Sequence, residues 1–283
     1  DSFKGMDIAL FAGGSISKDF APHAVKAGAV VIDNSSAFRM DPEVPLVVPE
    51  VNPQAILKHK GIIANPNCST IIMVMALKPI YDLAKIKRVI VSTYQAVSGA
   101  GKEGIDELDA QVREHSEGRE MTANILPSAS AEKHYPIAFN LIPQIDVFCD
   151  NLYTKEEMKM VNETKKIMED YEMRITATTI RVPVYRSHSE SVNIELEKEV
   201  DLGAMREALA KFPGVTVQDD PSKQEYPMPL YTSEKDDVYV GRLRRDESCE
   251  KSYNMWVVGD QIRKGAALNT LQIAETMIKN GWI

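Results

Sequence analysis

The chain has 283 residues, of which 44% are hydrophobic and 26% charged, and its net charge of −8 argues against broad binding to nucleic acid or an anionic membrane surface. Its apolar runs are shorter than the ~20 residues of a membrane-spanning helix, and its three cysteines lack the spacing of a zinc site. We therefore expect a reduced, cytoplasmic, globular protein with no metal, nucleic-acid or membrane partner.

The first 67 residues alternate short apolar runs with one helix-like segment. "MDIALFAGG" is typical of a buried strand that ends in glycines, and "SKDFAPHAVKAG" of a helix with Ser17 as its N-cap and Gly28 as its stop. The runs "AVVIDNSS", "PLVVPEVN" and "GIIANPN" predict three further strands. Because their valines and isoleucines do not alternate with polar residues, these strands should be covered on both faces of a parallel sheet. The pattern predicts a doubly wound, Rossmann-like α/β domain.

Cys68 lies in "NPNCST", between the apolar run "GIIA" and a longer one. Pro66 favours an extended chain before it, and Asn67 is a good N-cap, so Cys68 should occupy the first turn of a helix at the carboxyl end of a strand. The free N–H groups and the positive end of the helix dipole favour a thiolate there and could hold an oxyanion. Its polar neighbours argue against the usual role of a free cysteine as a small buried apolar residue. We assign that ordinary role to Cys149 and Cys249.

Gly99–Gly104 spell G-x-G-x-x-G between a strand-like and a helix-like segment. A dinucleotide fingerprint also needs a second strand that ends in an acidic residue about 20 residues further on, and none follows. We interpret the run as a flexible glycine turn that faces a site. No pyrophosphate turn precedes Met6 either, so the first residues are typical of the second half of a nucleotide-binding domain. Either its N-terminal part is missing from this sequence or the cofactor binds elsewhere.

Residues 86 to about 250 predict an α+β domain on a mixed sheet. Its predicted strands are "RVIVSTYQ", "ITATTIRVPV", "SVNIELE", "GVTVQD" and "VYVGRLRR", and its helices include "MKMVNETKKIMED" and "GAMREALAKF". His188 is predicted in the polar turn between the second and third of these strands. A nucleophilic cysteine usually needs a base, but the residues alone leave a catalytic and a surface His188 equally open. Among the other histidines, His134 is ambiguous and the rest are expected in solvent.

Five segments occur in the order seen in bacterial aspartate-semialdehyde dehydrogenases, and the chain resembles this family over its whole length. They are "NPNCST", "STYQAVSGAG", "HYPIAFN", "RVPVYRSHSES" and "KGAALN". The cysteine context differs from the Ser-Cys-Thr-Thr of glyceraldehyde-3-phosphate dehydrogenases and the Gly-Cys-Tyr-Pro of N-acetylglutamyl-phosphate reductases. The resemblance implies the reversible, NADP-dependent conversion of 4-phospho-L-aspartate to L-aspartate 4-semialdehyde and phosphate, a shared step towards lysine, threonine and methionine. The family's N-terminal glycine-rich NADP loop has no match here.

The resemblance also implies a division into three parts. Residues 1–67 would be the remaining part of the NADP-binding domain, and residues 68–250 the catalytic and dimerisation domain of a homodimer. Residues 251–283 would form a C-terminal segment that returns to the NADP-binding domain. Within that segment, "KGAALNTLQIAETMIKNGW" predicts a helix, with Leu268, Leu271, Ala274 and Ile278 at helical spacing.

The catalytic roles carried over from the family fall on three residues. Cys68 is similar to the nucleophile that forms a thioacyl enzyme, and His188 to the acid/base. Gln95 resembles the residue that orients the substrate near the thiol. The resemblance implies that the thiolate adds to the aldehyde and that His188 accepts the hydroxyl proton as hydride passes to NADP⁺. Phosphate would then attack the thioester.

The residues that the resemblance assigns to binding are Arg181 (α-carboxylate), Glu156 (α-amino group), Arg39, Asn67 and Lys159 (phosphate), and Ser98, Gly99 and Asn269 (nicotinamide end of NADP). A forked guanidinium suits a planar carboxylate or a phosphate. Without the resemblance, Glu156 and Lys159 would be interpreted as a surface ion pair, since they are three residues apart in a helix-like stretch. Arg39 would be interpreted as a solvated loop residue.

Two other classes stay open. A cysteine amidohydrolase or acyltransferase would use Cys68 and His188 without hydride transfer. A fragment that lacks the first βαβ unit would be a dimeric module without affinity for the cofactor.

Overall fold

The structure is a computed structural model that describes residues 2–283. The strands within these residues are β1 (Ile8–Phe11), β2 (Val30–Asp33), β3 (Ile62–Ala64), β4 (Ile86–Gln95), β5 (Arg174–Arg181), β6 (His188–Leu196), β7 (Val215–Val217), β8 (Val238–Arg245) and β9 (Ser252–Gly259). The helices are α1 (Ser17–Lys26), α2 (Cys68–Leu83), α3 (Lys102–Ser116), α4 (Lys155–Met168), α5 (Leu202–Lys211), α6 (Pro229–Thr232) and α7 (Leu268–Lys279). Short 3₁₀ segments span Gly14–Ile16, Pro53–Lys58, Val97–Ala100 and Pro221–Lys223, and a π-helical turn spans Arg263–Ala267.

The first sheet is parallel, as predicted, with the strand order β1-β2-β3. The prediction of a strand over residues 45–52 is wrong, because only Leu46 forms a bridge, to Ala64. Pro45 and Pro49 cannot donate to a strand ladder. The side chain of Asn52 turns back to accept from the Val48 N–H at 2.9 Å, which folds this segment into a turn.

The ends of α1 agree only in part with the prediction. Ser17 is the first residue of the helix and not its N-cap, a position that Ile16 occupies without a side-chain bond. Gly28 ends the helix as predicted, with φ at +98°, a conformation that favours glycine.

The second sheet is mixed, as predicted, with the order β5-β4-β6-β9-β8-β7. β4 is parallel to β5 and antiparallel to β6, and β9 is antiparallel to β6. The patterns above do not predict β9, although it lies near the centre of the sheet beyond residue 250. Its buried Tyr253, Met255 and Val257 alternate along the strand and are the signal that identifies it. The three-part division of the chain stays a prediction.

α2 is the central helix, and each side chain from residue 71 to residue 77 is fully buried. A helix that is apolar on every side must be covered on every side. α4 and α5 pack against it, and it also contacts β4, β8 and β9 of the second sheet. The core therefore fixes α2, and with it the position of Cys68 at its first residue.

α7 packs against the first sheet. Its buried Ile273, Ala274 and Met277 join Ile32 and Ile63 in one apolar cluster. The predicted apolar face of this helix is therefore only partly correct. Ala274 is buried, but Leu271 and Ile278 are exposed. None of the helices within residues 2–283 is both long and apolar enough to cross a membrane.

Candidate active site

The site lies where strands of both sheets end. β2 and β3 of the first sheet lead to the Arg39 loop and to Cys68, and β4 and β5 of the second sheet end at Gln95 and Arg181. Because β6 runs in the opposite direction, its first residue, His188, lies at the same edge. Ligands collect outside the carboxyl ends of parallel strands.

Cys68 begins α2, as predicted, and Asn67 caps the helix. The Asn67 Oδ1 accepts from the backbone N–H groups of Ser69 and Thr70 at 3.1 and 3.2 Å. Gly265 of the π-helical turn packs directly on Cys68, since a Cβ placed there would lie 2.9 Å from the Cys68 Cβ. The nucleophile is therefore held between the helix start and a glycine.

The electrostatic surroundings of Cys68 differ from the expected preference for thiolate. Burial, and then the charge of Glu156, raise the pKa of the thiol to about 12, against the opposing effects of Arg39, the Ser69 N–H and Arg181. The free protein consequently holds Cys68 as a thiol at neutral pH.

Gln95 and Glu156 form a buried polar cluster beside Cys68. The Gln95 amide donates to the Ser69 hydroxyl at 2.7 Å and to the Glu156 carboxylate at 3.3 Å. The Asn67 amide also donates to Glu156, at 2.9 Å. These bonds fix the carboxylate that faces the first turn of α2, where a substrate cation could pair with it.

Lys159 pairs with two carboxylates. Its Nζ lies 3.0 Å from Glu156 and 3.0 Å from Asp146. Burial opposes the charge of Lys159, but Glu156 and Asp146 raise its pKa. Burial likewise opposes the charge of Glu156, but Lys159 and Asn67 hold its pKa below its ordinary value. The pair is therefore charged. Glu156 is buried and Lys159 half-buried, so this is not the surface ion pair that the two residues alone would indicate.

Arg39 is buried and not solvated. Its Nε donates to the Asn65 carbonyl at 2.9 Å, and its Nη2 to the Asn34 carbonyl at 3.1 Å. Its Nη1 lies 3.3 Å from the carboxylate of Glu163. The guanidinium is thus fixed next to the chain that leads into Cys68.

His188 is not in a turn but is the first, fully buried residue of β6. Pairing with β4 and β9 extends the strand through the polar run "HSES". Gly99 lies against both His188 and Arg181, because a Cβ there would be 3.2 Å from the His188 Cε1 and 2.7 Å from the Arg181 Nη1. Arg181 Nη1 donates to the Ala96 carbonyl at 2.7 Å, while its buried Nε has no partner within residues 2–283.

One hydrogen bond fixes the proton of His188. The Ala96 N–H donates to Nδ1 at 3.1 Å, so the proton of the neutral ring must be on Nε2. Burial, and then the charge of Arg181, lower the pKa of His188 well below its ordinary value, so the ring is neutral. Nε2 is buried and has no acceptor within the described chain. The ring therefore presents a free N–H donor beside Gly99.

The remaining predicted cofactor residues differ in their surroundings. Ser98 adjoins Gly99, and its hydroxyl accepts from the Gln261 amide. Asn269 is completely buried in α7, where its amide donates to the Val47 carbonyl at 3.0 Å and to Asn65 at 2.7 Å, and its oxygen accepts from Lys264 at 3.0 Å. In this arrangement Asn269 links α7 to the chain before Cys68, and its assignment to the cofactor stays a prediction.

Three residues that contact the site are not predicted from the sequence. Glu163 contacts Arg39, Gly265 packs on Cys68, and Gln261 bridges Ser98 and the backbone of Ser187. Only Glu163 carries a readable signal, since it follows Lys159 by four residues on the same helix face. The contacts of the other two depend on tertiary packing.

Two family models match the chain. A semialdehyde dehydrogenase dimerisation domain matches residues 77–264, and a semialdehyde dehydrogenase NAD binding domain matches residues 1–59. Together they contain every strand of both sheets within residues 2–283 except β3, which lies between the two matched ranges. The chain is 58% identical to the aspartate-semialdehyde dehydrogenase of Aquifex aeolicus, over 100% of this chain and 82% of that protein. It is 54% identical to that of Bacillus subtilis, over 99% and 81% respectively.

A solved structure is similar in fold as well as in sequence. The crystal structure of aspartate semialdehyde dehydrogenase II from Vibrio cholerae, complexed with ASA, matches with a TM-score of 0.90 and 47% identity. The match covers 96% of this chain and 79% of that chain.

Proposed function

Because the chain belongs to the aspartate-semialdehyde dehydrogenase family, we propose that it interconverts 4-phospho-L-aspartate and L-aspartate 4-semialdehyde with NADP and phosphate. This reaction leads towards lysine, threonine and methionine. The observation that carries the proposal is the setting of Cys68 at a helix start, faced by Glu156 and Arg39, while His188 and Arg181 are held together at Gly99. These side chains supply a nucleophile, a free N–H donor and groups of both charges for a small charged aldehyde.

The backbone near His188 fits a nicotinamide cofactor. Gly99 has no side chain towards the buried donors of His188 and Arg181. Gly101, with φ at +82°, has open space where a Cβ would lie. A flat ring can approach such a surface, and Ser98 and Gly99 would hold its edge. The bound nicotinamide would take up hydride from the substrate carbon in the oxidative direction.

Binding of the semialdehyde uses its two charged groups. Arg181 would bind the α-carboxylate, for which its buried Nε is free of protein partners within residues 2–283. Glu156 would bind the α-amino group, and Gln95 keeps that carboxylate in place. The aldehyde carbon would then lie between Cys68 and His188. The precise orientation of reacting groups is itself a large part of catalysis.

Cys68 provides the covalent step. Its thiol loses a proton to solvent, and the sulfur forms a bond to the aldehyde carbon while the carbonyl electron pair moves to oxygen. The His188 Nε2–H donates to that oxyanion. Loss of hydride from the same carbon leaves a thioester on Cys68.

Phosphate completes the cycle. Held by Arg39, Asn67 and Lys159, it attacks the thioester carbon, and the C–S bond breaks to release the Cys68 thiolate. The released thiolate takes up a proton from solvent and returns to the resting thiol. The hydride step itself needs no proton acceptor, because addition of a thiolate to the aldehyde has already given an oxyanion. In this proposal His188 acts as the donor of the expected acid/base pair of roles, because the Ala96 N–H donates to Nδ1 and Nε2 carries the proton.

The test is NADPH formation from semialdehyde, phosphate and NADP⁺. Cys68→Ala should abolish it, whereas Cys149→Ala and Cys249→Ala should retain most of it, since neither lies at a helix start. NAD⁺ in place of NADP⁺ tests the cofactor preference, and direct titration with NADP⁺ tests binding alone. Turnover by Cys68→Ala, or amide hydrolysis without cofactor reduction, would refute the proposal.

The protein should act as a homodimer. The match of residues 77–264 to a dimerisation domain supports this assembly. Light scattering after size-exclusion chromatography measures the mass, for which 31.5 kDa is the value of one chain. A monomer at micromolar concentration would contradict it.

A further inference from the structure

Glu163 divides its carboxylate between two parts of the site. Its side chain is 1% exposed. Oε2 accepts from the backbone N–H of Asn67, immediately before Cys68, at 2.6 Å. Oε1 accepts from the Arg39 guanidinium at 3.3 Å. One buried carboxylate therefore joins the loop after β2 to the first turn of α2.

Glu163 belongs to a polar stripe on α4. Its four members, Glu156, Lys159, Glu163 and Lys166, follow one another at intervals of three, four and three residues and so share one helix face. Lys166, one turn further along, donates to the backbone carbonyls of Arg39, Asp41 and Val44 at 2.7–2.8 Å. The same helix thus holds the Arg39 loop by its backbone and by its guanidinium.

The contacts of Arg39 leave it able to bind an anion. A guanidinium has five N–H groups. Within residues 2–283 three of them are used, by the Asn65 carbonyl, the Asn34 carbonyl and Glu163. The remaining two lie one on each terminal nitrogen, and two such donors can bind phosphate in a forked manner.

We infer that Glu163 is a positioning residue that fixes the phosphate-binding Arg39 relative to the Cys68 thioester, an inference that rests on the proposed function. A phosphate oxygen must reach the carbon bonded to Cys68, and a misplacement of about 1 Å can cost about 100-fold in rate. Glu163 sets this distance because it bonds both sides at once. Glutamine has one acceptor oxygen, so Glu163→Gln loses one of the two contacts.

The matched control lies on the same helix. Glu157 is also buried, and its two oxygens accept from the backbone N–H groups of Thr154 and Thr179 at 2.7 and 3.0 Å. Within residues 2–283, the Glu157 side chain makes no hydrogen bond to a residue assigned to the site. Glu157→Gln therefore removes the same charge and the same kind of bond from α4 without altering the position of Arg39.

In steady-state assays of the full-length protein, Glu163→Gln should raise the apparent KM for phosphate roughly tenfold, the scale of one lost charge-assisted hydrogen bond. The KM for semialdehyde should change by less than about twofold, since Arg181 and Glu156 are untouched. Glu157→Gln should leave both values near those of the wild type. An unchanged or lowered KM for phosphate in Glu163→Gln would show that the carboxylate acts only as a counter-charge, and would overturn the inference.

A second measurement needs no cofactor and no turnover. Phosphate bound at Arg39 should protect Cys68 from iodoacetamide, and Glu163→Gln should shift the protecting phosphate concentration upwards by the same roughly tenfold factor. The shift should vanish in an Arg39→Ala background, because Glu163 acts through that side chain. If Glu163→Gln does not fold, Lys166→Met tests the same loop and should raise the phosphate requirement. If Glu163→Gln raises the protecting phosphate concentration roughly tenfold but the wild-type protein forms no NADPH, the proposed function is refuted and this inference stands. If wild type and Glu163→Gln are protected at the same phosphate concentration, the inference is refuted.

Discussion

Cys68 is a thiol in the free protein because burial and the nearby Glu156 both disfavour its charge. With a pKa of about 12, only about one molecule in 10⁴ would carry a thiolate at pH 8. The α-amino group of the substrate would pair with Glu156 and remove one of these two causes. Binding of the substrate is therefore expected to lower the pKa of the nucleophile that attacks it.

The alkylation rate of Cys68 tests the raised pKa of its thiol in the free protein. In a Cys149→Ser/Cys249→Ser variant, where Cys68 is the remaining cysteine, the rate with iodoacetamide should rise about tenfold per pH unit from pH 7 to pH 10. A cysteine-containing model peptide, with a pKa of ~8.5, should level off within that range. A plateau for Cys68 below pH 9 would contradict a strongly raised pKa.

At the scale of elements, the π-helical turn Arg263–Ala267 holds the first turn of α2 in place. The buried Lys264 anchors the turn, since its Nζ donates to Glu50 at 2.6 Å and to Gln272 at 2.7 Å. Gly265 then lies in contact with Cys68. Single π-helical turns are frequent at functional sites, where they re-aim the chain.

Gly265→Ala should lower kcat/KM by about 10- to 100-fold, because the new methyl group would lie 2.9 Å from the Cys68 Cβ and 3.3 Å from its Cα. The Cα is part of the main chain, so the clash displaces either the turn or the nucleophile. The melting temperature, measured alongside, reports whether the fold is retained. A folded variant with wild-type kcat/KM would show that the turn yields without moving Cys68.

The elements with local signals are those that the sequence predicts well. Asn67 as a cap and the parallel strands of the first sheet follow from residue type and spacing alone. The prediction of a strand over residues 45–52 is wrong because the Asn52 side chain accepts from the Val48 N–H and forms a turn, a contact that no periodicity indicates. His188 is in a strand because pairing with two neighbours covers its polar run. The contact of Arg39 with Glu163, 124 residues away, depends on tertiary structure and has no local pattern.

At the scale of the whole molecule, Glu190 links stability to pH. It lies in β6 opposite Thr93 and Val257, is fully buried, and neither of its carboxylate oxygens has a partner within residues 2–283. Burial raises its pKa well above the ordinary value. Between the unfolded and folded pKa values, the folded protein keeps a proton that the unfolded chain releases. The free energy of unfolding therefore falls as pH rises through this window, by at most about 1.4 kcal/mol per unit.

Glu190→Gln should remove this dependence, because an amide resembles the protonated carboxyl and does not ionise. The free energy of unfolding of the variant minus that of the wild type should therefore increase from pH 5 to pH 8. Urea denaturation at fixed protein concentration measures both values. An equal difference between the two proteins at both pH values would show that Glu190 keeps an ordinary pKa.

The protonated state of Cys68 also bears on its survival between reaction cycles. Peroxides attack thiolates and react poorly with thiols, so oxidative damage follows thiolate character. In the resting protein, burial and Glu156 keep the sulfur in its unreactive form. Oxidants would then compete for the sulfur chiefly during the part of the cycle in which substrate is bound, and a saturating supply of substrate would shorten even that exposure by keeping the sulfur acylated.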